Sequence, residues 1–380
     1  MTARAALQHY DPSPLPTEYD VEWLNTADLE PLAPDWRALE ARVRHRTHLS
    51  TFDFLAAWYR HYAGDYGGAP LIGLARRHGR LVGVAPFTLR RGTVGRVPVT
   101  RIEFAPTDVP AGEFLVEDGH PEIVGAFIDA LAGAVPFDVM CLDGFDPASP
   151  HLEALRAAAR RHRMALELDD HAFAVVHLRD GYKAYFAGLS GHYRRNLNQK
   201  KRRIERAGAH VEGVHLTAGH AEVERAIERL IAVNEASYKL RGRRLADQHR
   251  NFLADVIRRL SRQQKLALPL LSIGGRDAAF MLGVVDRDCY FDITLSYDET
   301  FAKVSPGAYL MQRALEACAA AGIHTVVSHG AHAYKKHWAS EFVAQKRVFL
   351  FAPTVRARAT RMIRFSLRPL WERLGRHADL

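Results

Sequence analysis

The chain has 380 residues, 48% of them hydrophobic, a formal net charge of +9 and three cysteines. That length exceeds a comfortable single core and points to two domains, while no run approaches the ~20 apolar residues that span a bilayer. Cys141, Cys289 and Cys318 each sit in an apolar context, which excludes a disulfide framework and a cysteine metal site and points to a reducing compartment, the cytoplasm.

Residues 1–18, with Pro12, Pro14 and Pro16 and without a compact apolar stretch, read as a disordered leader and not as a signal peptide. From 19 to 170 the pattern is that of a first α/β domain. WRALEARV and FLAAWYRHY have helical spacing, the second after the cap candidates Ser50 and Thr51. PLIGLARR, a His78-Gly79 turn and RLVGVAPFTLRR predict a β-hairpin. PEIVGAFIDALAGA predicts a helix, FDVMCLDGF a buried strand, and SPHLEALRAAARRHRM a helix opened by a Ser-Pro start signal.

Residues 171–352 repeat the plan. AFAVVHL predicts a strand, and YKAYFAGLSGHYRRNLNQKKRRIERAG one helix ending at Gly208. HAEVERAIERLIAVNEASYKL and HRNFLADVIRRLSRQQ are further helices. LPLLSI, a Gly274-Gly275 turn, DAAFMLGVVDRD and CYFDITLSYD predict a three-strand meander. A helix closed by Gly322, the strand HTVVSH and a last strand FVAQKRVFLF follow. The shared order of hairpin turn, strand, helix and strand suggests a duplicated unit. In the tail, 353–380, Ile363, Leu367, Leu370, Trp371 and Leu374 form a helical stripe ringed by Arg361, Arg364, Arg368 and Arg376 and interrupted by Pro369. Such a helix either packs on the body or lies at an anionic membrane surface, which adds the inner face of the plasma membrane to the expected location.

Cys289 to Phe342 carries the chemistry. A strand, a Ser305-Pro306-Gly307 turn and a helix place free backbone N–H groups and the positive end of a helix dipole at one point, a site for phosphates. Tyr334 follows where a second helix would carry it toward the same strand edge. A second clue is the basic stretch 193–206, in which cationic charge surrounds most of a helix. It is either a solvated face or a grip for anions. No helix-turn-helix, zinc-finger or RNA-recognition signature accompanies it, so nucleic acid is not the expected partner.

The meander, the turn into a helix, the strand and the Tyr-bearing segment resemble the GNAT acyltransferase architecture. YRRNLNQKKRRIERAG, VSPGAYLMQRALEACAAAGI and GAHAYKKHW, in that order, resemble more narrowly the cellulose-biosynthesis-protein-like subgroup, related to the Fem peptidyltransferases. The resemblance covers about residues 20–352. It implies two GNAT-like domains, each a mixed, mainly antiparallel sheet flanked by helices, the first without a donor site. It makes Tyr290–Leu295 the strand that receives the pantetheine arm, Val304–Tyr309 the pyrophosphate turn and Thr325–Ser328 the splayed partner. The usual turn is Arg/Gln-x-x-Gly-x-Gly/Ala, and Val304-Ser305-Pro306-Gly307-Ala308 is a shorter match. The subgroup's Asp-Phe-Gly-like stretch is replaced by Val326-Val327-Ser328-His329-Gly330, which offers His329 for the acid's role.

The expected activity is N-acyl transfer from acetyl-CoA or a longer acyl-CoA to an amine on a sugar, polysaccharide or amino lipid of the cell envelope. Ser305, Pro306, Gly307, Ala308 and Tyr309 are the expected donor contacts. Acyl transfer needs an acid at the leaving thiolate and a base at the amine. Tyr334 reads either as that acid or as a core aromatic. His329 and His332 read as bases or as loop histidines, His332 standing with the acceptor contacts. Asp292 orients a base, binds the amine or is a structural carboxylate. Lys335 is implied to meet a phosphate or carboxylate. Arg194, Arg195 and Asn196, with Tyr193, would grip phosphates of the donor or of a phosphorylated acceptor. His329, His332 and His337 match no zinc spacing, so no metal is expected. Two alternatives stand: a Fem-like transferase using aminoacyl-tRNA, and a non-catalytic module of envelope assembly.

Overall fold

The computed structural model of the chain describes residues 18–367 except 45, 65–66, 95–96, 108–111, 215–218, 238 and 241–243. Of the expected leader only Glu18, and of the expected tail stripe nothing after Leu367, falls among the described residues.

The first half runs β1 (Asp20–Leu24), α1 (Ala33–Arg42), α2 (Phe52–Tyr62), β2 (Ala69–Arg77), β3 (Arg80–Val94), β4 (Val97–Phe104) and the short β5 (Leu115–Val116). It continues with α3 (Glu122–Ala134), β6 (Val139–Phe145), α4 (Pro150–Arg161) and β7 (Ala165–His177). The β2–β3 hairpin turns at His78 and Gly79, with φ of 51° and 77°, the left-handed pair that matches strand twist. Ser149 caps α4 by accepting the His151 N–H at 3.2 Å, with Pro150 at the first helical position.

The second half runs α5 (Gly181–Gly188), α6 (Gly191–Arg206), β8 (Ala209–Val214), α7 (His220–Glu235) and α8 (Asp247–Arg262). Then come β9 (Leu266–Ile273), β10 (Arg276–Asp286), β11 (Cys289–Tyr297), α9 (Pro306–Ala320), β12 (Thr325–Ser328), β13 (Glu341–Phe351) and α10 (Val355–Met362). The single helix expected before Gly208 is two, α5 and α6. The Ser190 hydroxyl accepts the Tyr193 N–H at 3.2 Å and so starts a new helix where the sequence pattern read straight through. The second helix expected to carry Tyr334 is instead a short 3-10 turn, Ala333–His337.

All described strands form one sheet in the order β1-β2-β3-β4-β6-β13-β7-β12-β11-β10-β9-β8, with β5 pairing β3 off this path. Each half builds the same unit: an antiparallel meander (β2-β3-β4, β9-β10-β11), a helix, and a strand parallel to the meander's last. The halves then exchange their final strands. β13 lies between β6 and β7, and β7 lies between β13 and β12. The expected boundary between 170 and 171 therefore falls inside β7, in the strand pair that joins the halves.

On one sheet face α1, α2, α7 and α8 share a single apolar cluster, with Trp36, Phe52 and Trp58 from the first half and Phe252, Ile257 and Phe280 from the second. The other face carries two clusters, one under α3 and α4 and one under α9. The tail departs from the free amphipathic helix that its pattern allowed. Arg361 pairs with Glu167, Arg364 pairs with Asp169 at 2.9 Å and lies 4.4 Å over the Phe349 ring, and Phe365 packs on Phe349 at 5.3 Å. Its described part is docked on β7 and β13 because those strands present matching acids and aromatics.

Candidate functional site

The site begins where two parallel strands part. β11 and β12 pair from Cys289↔Thr325 to Asp292↔Ser328; β12 stops there and β11 continues to Tyr297. Just at the parting, Leu282 faces Thr294 and Gly283 faces Asp292, so Ile293 is the extra residue of a β-bulge that bends β11 away. Gly283 is required beside it: a Cβ there would fall 2.1 Å from the buried Tyr290 ring. The gap is a cavity of about 880 Å³. It is lined by α5, α6 and α9 on one side and reaches His48 and Phe54 of the first half.

The N-terminus of α9 forms one rim. Ser305 is left-handed, with φ 58°, and Pro306 takes the first helical position. Gly307 and Ala308 line the cavity, and a Cβ on Gly307 would come within 3.0 Å of the Leu295 side chain. No acidic residue occupies this first turn. The rim is therefore small, positively polarised and open to an anion. Of the other expected donor contacts, Pro306 and Tyr309 are buried in packing, and the Ser305 hydroxyl makes no capping bond.

Beneath the rim the expected catalytic residues converge. All four, Asp292, His329, Tyr334 and Lys335, line the cavity. The Ser328 hydroxyl donates to Asp292 Oδ2 at 2.7 Å and accepts from Lys335 Nζ at 2.9 Å. Lys335, 2% exposed, also donates to the His329 carbonyl. Asp292 Oδ1 is buried without a partner. Burial raises the Asp292 carboxyl above its usual range and lowers the Lys335 ammonium, each partly offset by the other's charge. His329 is pushed down to about 4, by burial first and then by Lys335 and His171. It is an uncharged imidazole at neutral pH.

Tyr334 is 62% exposed, so it is not a core aromatic; it stacks on His332 at 6.0 Å between ring centroids. Trp338 is the core anchor, at 5% exposure, and its carbonyl accepts the Tyr185 hydroxyl at 2.7 Å. On α6 the residues facing the cavity are Tyr193, Leu197 and Lys200, one helical stripe. Arg194, Arg195 and Asn196 do not line it. Arg195 instead joins Asn198, Gln199, Arg202, Arg203 and Arg206 on the helix's outer side.

No sequence pattern marks His48 or Lys239, and Ser328, expected only as the end of the splayed strand, also belongs to the site. Lys239 donates to the Leu295 carbonyl of β11 at 2.8 Å, and burial lowers its ammonium. The strand's own parting explains Ser328, which sits opposite Asp292 in register. Among the described residues no group of three or more His, Cys, Asp or Glu is placed to hold a metal ion.

Residues 191–336 match the Acetyltransferase (GNAT) domain. The second half carries a GNAT acetyltransferase domain, and the protein is an acyltransferase. None of the curated proteins compared matches the sequence. Among solved structures, FemX is similar with a TM-score of 0.56 and 11% identity, covering 87% of this chain and 97% of that one. The C-terminal domain of a putative lysylphosphatidylglycerol synthetase from Agrobacterium fabrum gives 0.52 and 12%, over 86% and 93% of the two chains. L-PGS from Bacillus licheniformis gives 0.52 and 14%, over 87% and 98%. At such identities the likeness is one of fold, and it extends over both halves.

Proposed function

We propose that the protein transfers an acyl group from a coenzyme A thioester, acetyl or longer, to an amino group on a cell-envelope precursor, be it a sugar, a polysaccharide or an amino lipid such as a sphingoid base. One observation carries the reading: an acid-free, small-residue helix N-terminus stands over the point where two parallel strands part. A diphosphate on Gly307 and Ala308 would let the thioester arm run along Leu295 and Thr294 toward Asp292. The Asp292–Ser328–Lys335 chain holds the floor in register and keeps a cation near the carbonyl, where negative charge develops as the amine adds. The exposed Tyr334 hydroxyl reaches the cavity from the solvent side, where a departing thiolate needs a proton.

Donor binding is tested by thermal unfolding with acetyl-CoA and longer acyl-CoAs, since a ligand that binds only the folded state raises Tm by mass action. No shift with any of them would sink the reading.

The outer stripe of α6 favours a second reading. Arg195, Arg202, Arg203 and Arg206 make no ion pair among the described residues, and a run of free guanidinium groups suits a charged tRNA donor. Similarity to FemX and to the lysylphosphatidylglycerol synthetase domain adds to it. A gel shift with tRNA that is weak and fully suppressed by salt removes this alternative.

A further inference from the structure

The first half is not merely a structural partner: it sends one side chain into the cleft. His48 lies on a 3-10 turn, His48–Ser50, and that turn is held from several directions. Thr47 Oγ1 accepts the Leu49 N–H at 3.2 Å, and the Thr51 N–H and hydroxyl donate to the His48 carbonyl at 3.2 and 2.7 Å. The Glu113 carboxylate accepts the Ser50 hydroxyl at 2.7 Å. Arg46 pairs with Asp286 of β10 at 2.9 Å, which locks the segment onto the second half.

So presented, the His48 ring is 2% exposed and stands 5.6 Å from His329, centroid to centroid. Phe54 and Phe291 flank it at 5.0 and 5.4 Å, and Phe173 flanks His329 at 6.5 Å. Both imidazoles line the cavity. Nδ1 of His48 and both ring nitrogens of His329 are buried with no hydrogen-bond partner. Three buried, unsatisfied nitrogens on neighbouring rings are costly unless a ligand completes them.

Building on the acyl-transfer reading, we infer that His48 and His329 together seat the acceptor nitrogen, and that this seat takes an uncharged primary amine. Such an amine offers two N–H donors and one lone pair, which complements a pair of neutral rings, each with one donor and one acceptor nitrogen. An ammonium has no lone pair for their N–H groups. It would also meet Lys335 and His171, the charged or chargeable neighbours of His329, among aromatic walls. Among the described residues Asp292 is the one acid lining the same cavity; its Oδ2 accepts the Ser328 hydroxyl, and the charges of Lys335 and Lys239 already answer it.

The seat also suits the step. The nitrogen lone pair forms the C–N bond at the thioester carbonyl and the C–S bond breaks. One N–H proton passes to an imidazole and on to solvent, and the thiolate takes up a proton, leaving an amide and a free thiol. His48 and His329 approach from the face of α1 and α2, whereas α9 approaches from the other, so nucleophile and donor enter the gap from opposite sides.

The test uses the full chain and two small probes. Methoxyamine is a primary amine uncharged at pH 7, and propylamine is charged there. In long-range histidine 15N spectra, methoxyamine should shift the ring nitrogens of His48 and His329 saturably, with propylamine weaker by about tenfold or more. In a thiol-release assay with acetyl-CoA, His48→Phe should lower kcat/KM for methoxyamine by about 100-fold while leaving acetyl-CoA affinity within about twofold. His48→Asn, which keeps a hydrogen-bonding side chain, should recover part of the loss. The inference is overturned if neither ring responds to methoxyamine, if propylamine binds as well, or if His48→Phe leaves methoxyamine-dependent thiol release unchanged. Should His48→Phe not fold, the spectra of the unmodified protein and the Asn variant decide. Should acetyl-CoA fail to bind the unmodified protein, the donor reading falls, and the ring shifts still decide the amine seat.

Discussion

The two halves part their parallel strands at matching places, after Glu103↔Cys141 in the first and after Asp292↔Ser328 in the second. In the second the parting leaves a cavity. In the first, Phe104, Phe114 and Phe145 fill the corresponding place, with centroids 5.0 to 6.2 Å apart and all three rings buried. The helices that follow differ in the same sense. α3 opens with its own acid, Glu122, whose carboxylate accepts the Tyr19 hydroxyl. α9 opens with Pro306, Gly307 and Ala308 and has no acid in its first turn. An anion site in this fold is made by what the first turn leaves out, and a carboxylate there already answers the helix dipole.

The largest test of that contrast is Gly307→Glu. It adds a side chain where even a Cβ meets Leu295 at 3.0 Å, and it restores the acid that closes the first half. Donor affinity should fall beyond detection in calorimetry while far-ultraviolet circular dichroism is unchanged. On the other side, Phe114→Ala should cost roughly 3–5 kcal/mol in denaturant unfolding, as expected for a large core aromatic, yet leave donor affinity as it was. An altered donor affinity would show that the plugged half takes part in donor binding.

The pH dependence sharpens the contrast further. His329 has a folded value near 4 against about 6.5 when unfolded. Above pH 6.5 both states leave it neutral and nothing is lost. As pH falls from 6.5 toward 4 the unfolded chain takes the proton and the folded one does not, so stability drops, by roughly 3 kcal/mol at most. His329→Leu should flatten unfolding midpoints across that window, and an unchanged slope would contradict the assignment. The smallest effect on the fold belongs to Tyr334→Phe. With 62% of the residue exposed, stability should stay within about 0.5 kcal/mol, while turnover falls by about 100-fold with donor affinity intact.

Much of this was legible in the sequence for physical reasons. The meander of β9 to β11 and the α9 start at Pro306 follow from local periodicity and turn residues, which one segment encodes, while the grouping of Asp292, His329, Tyr334 and Lys335 came from the family resemblance and the chemistry of those side chains. Edge strands were harder. β1 and β8 end the sheet and span only five and six residues, too short for an alternation to stand out. The strand exchange of β7 and β13 is a matter of pairing across the chain, which no local pattern records. His48 was invisible for the same reason. Nothing in HRTHLS distinguishes it, and its meaning comes from the His329 ring that folding brings to it. On α6 the expected Tyr193 does line the cavity, but packing places Leu197 and Lys200 beside it, where the charge pattern pointed to Arg194, Arg195 and Asn196.

The most direct test of the central claim is the calorimetric stoichiometry of acetyl-CoA on the full chain, measured beside Gly307→Glu. One donor site per chain in the unmodified protein and none in the variant is the predicted result. Two sites per chain, or one that survives the substitution, would contradict the assignment of donor binding to the α9 turn alone.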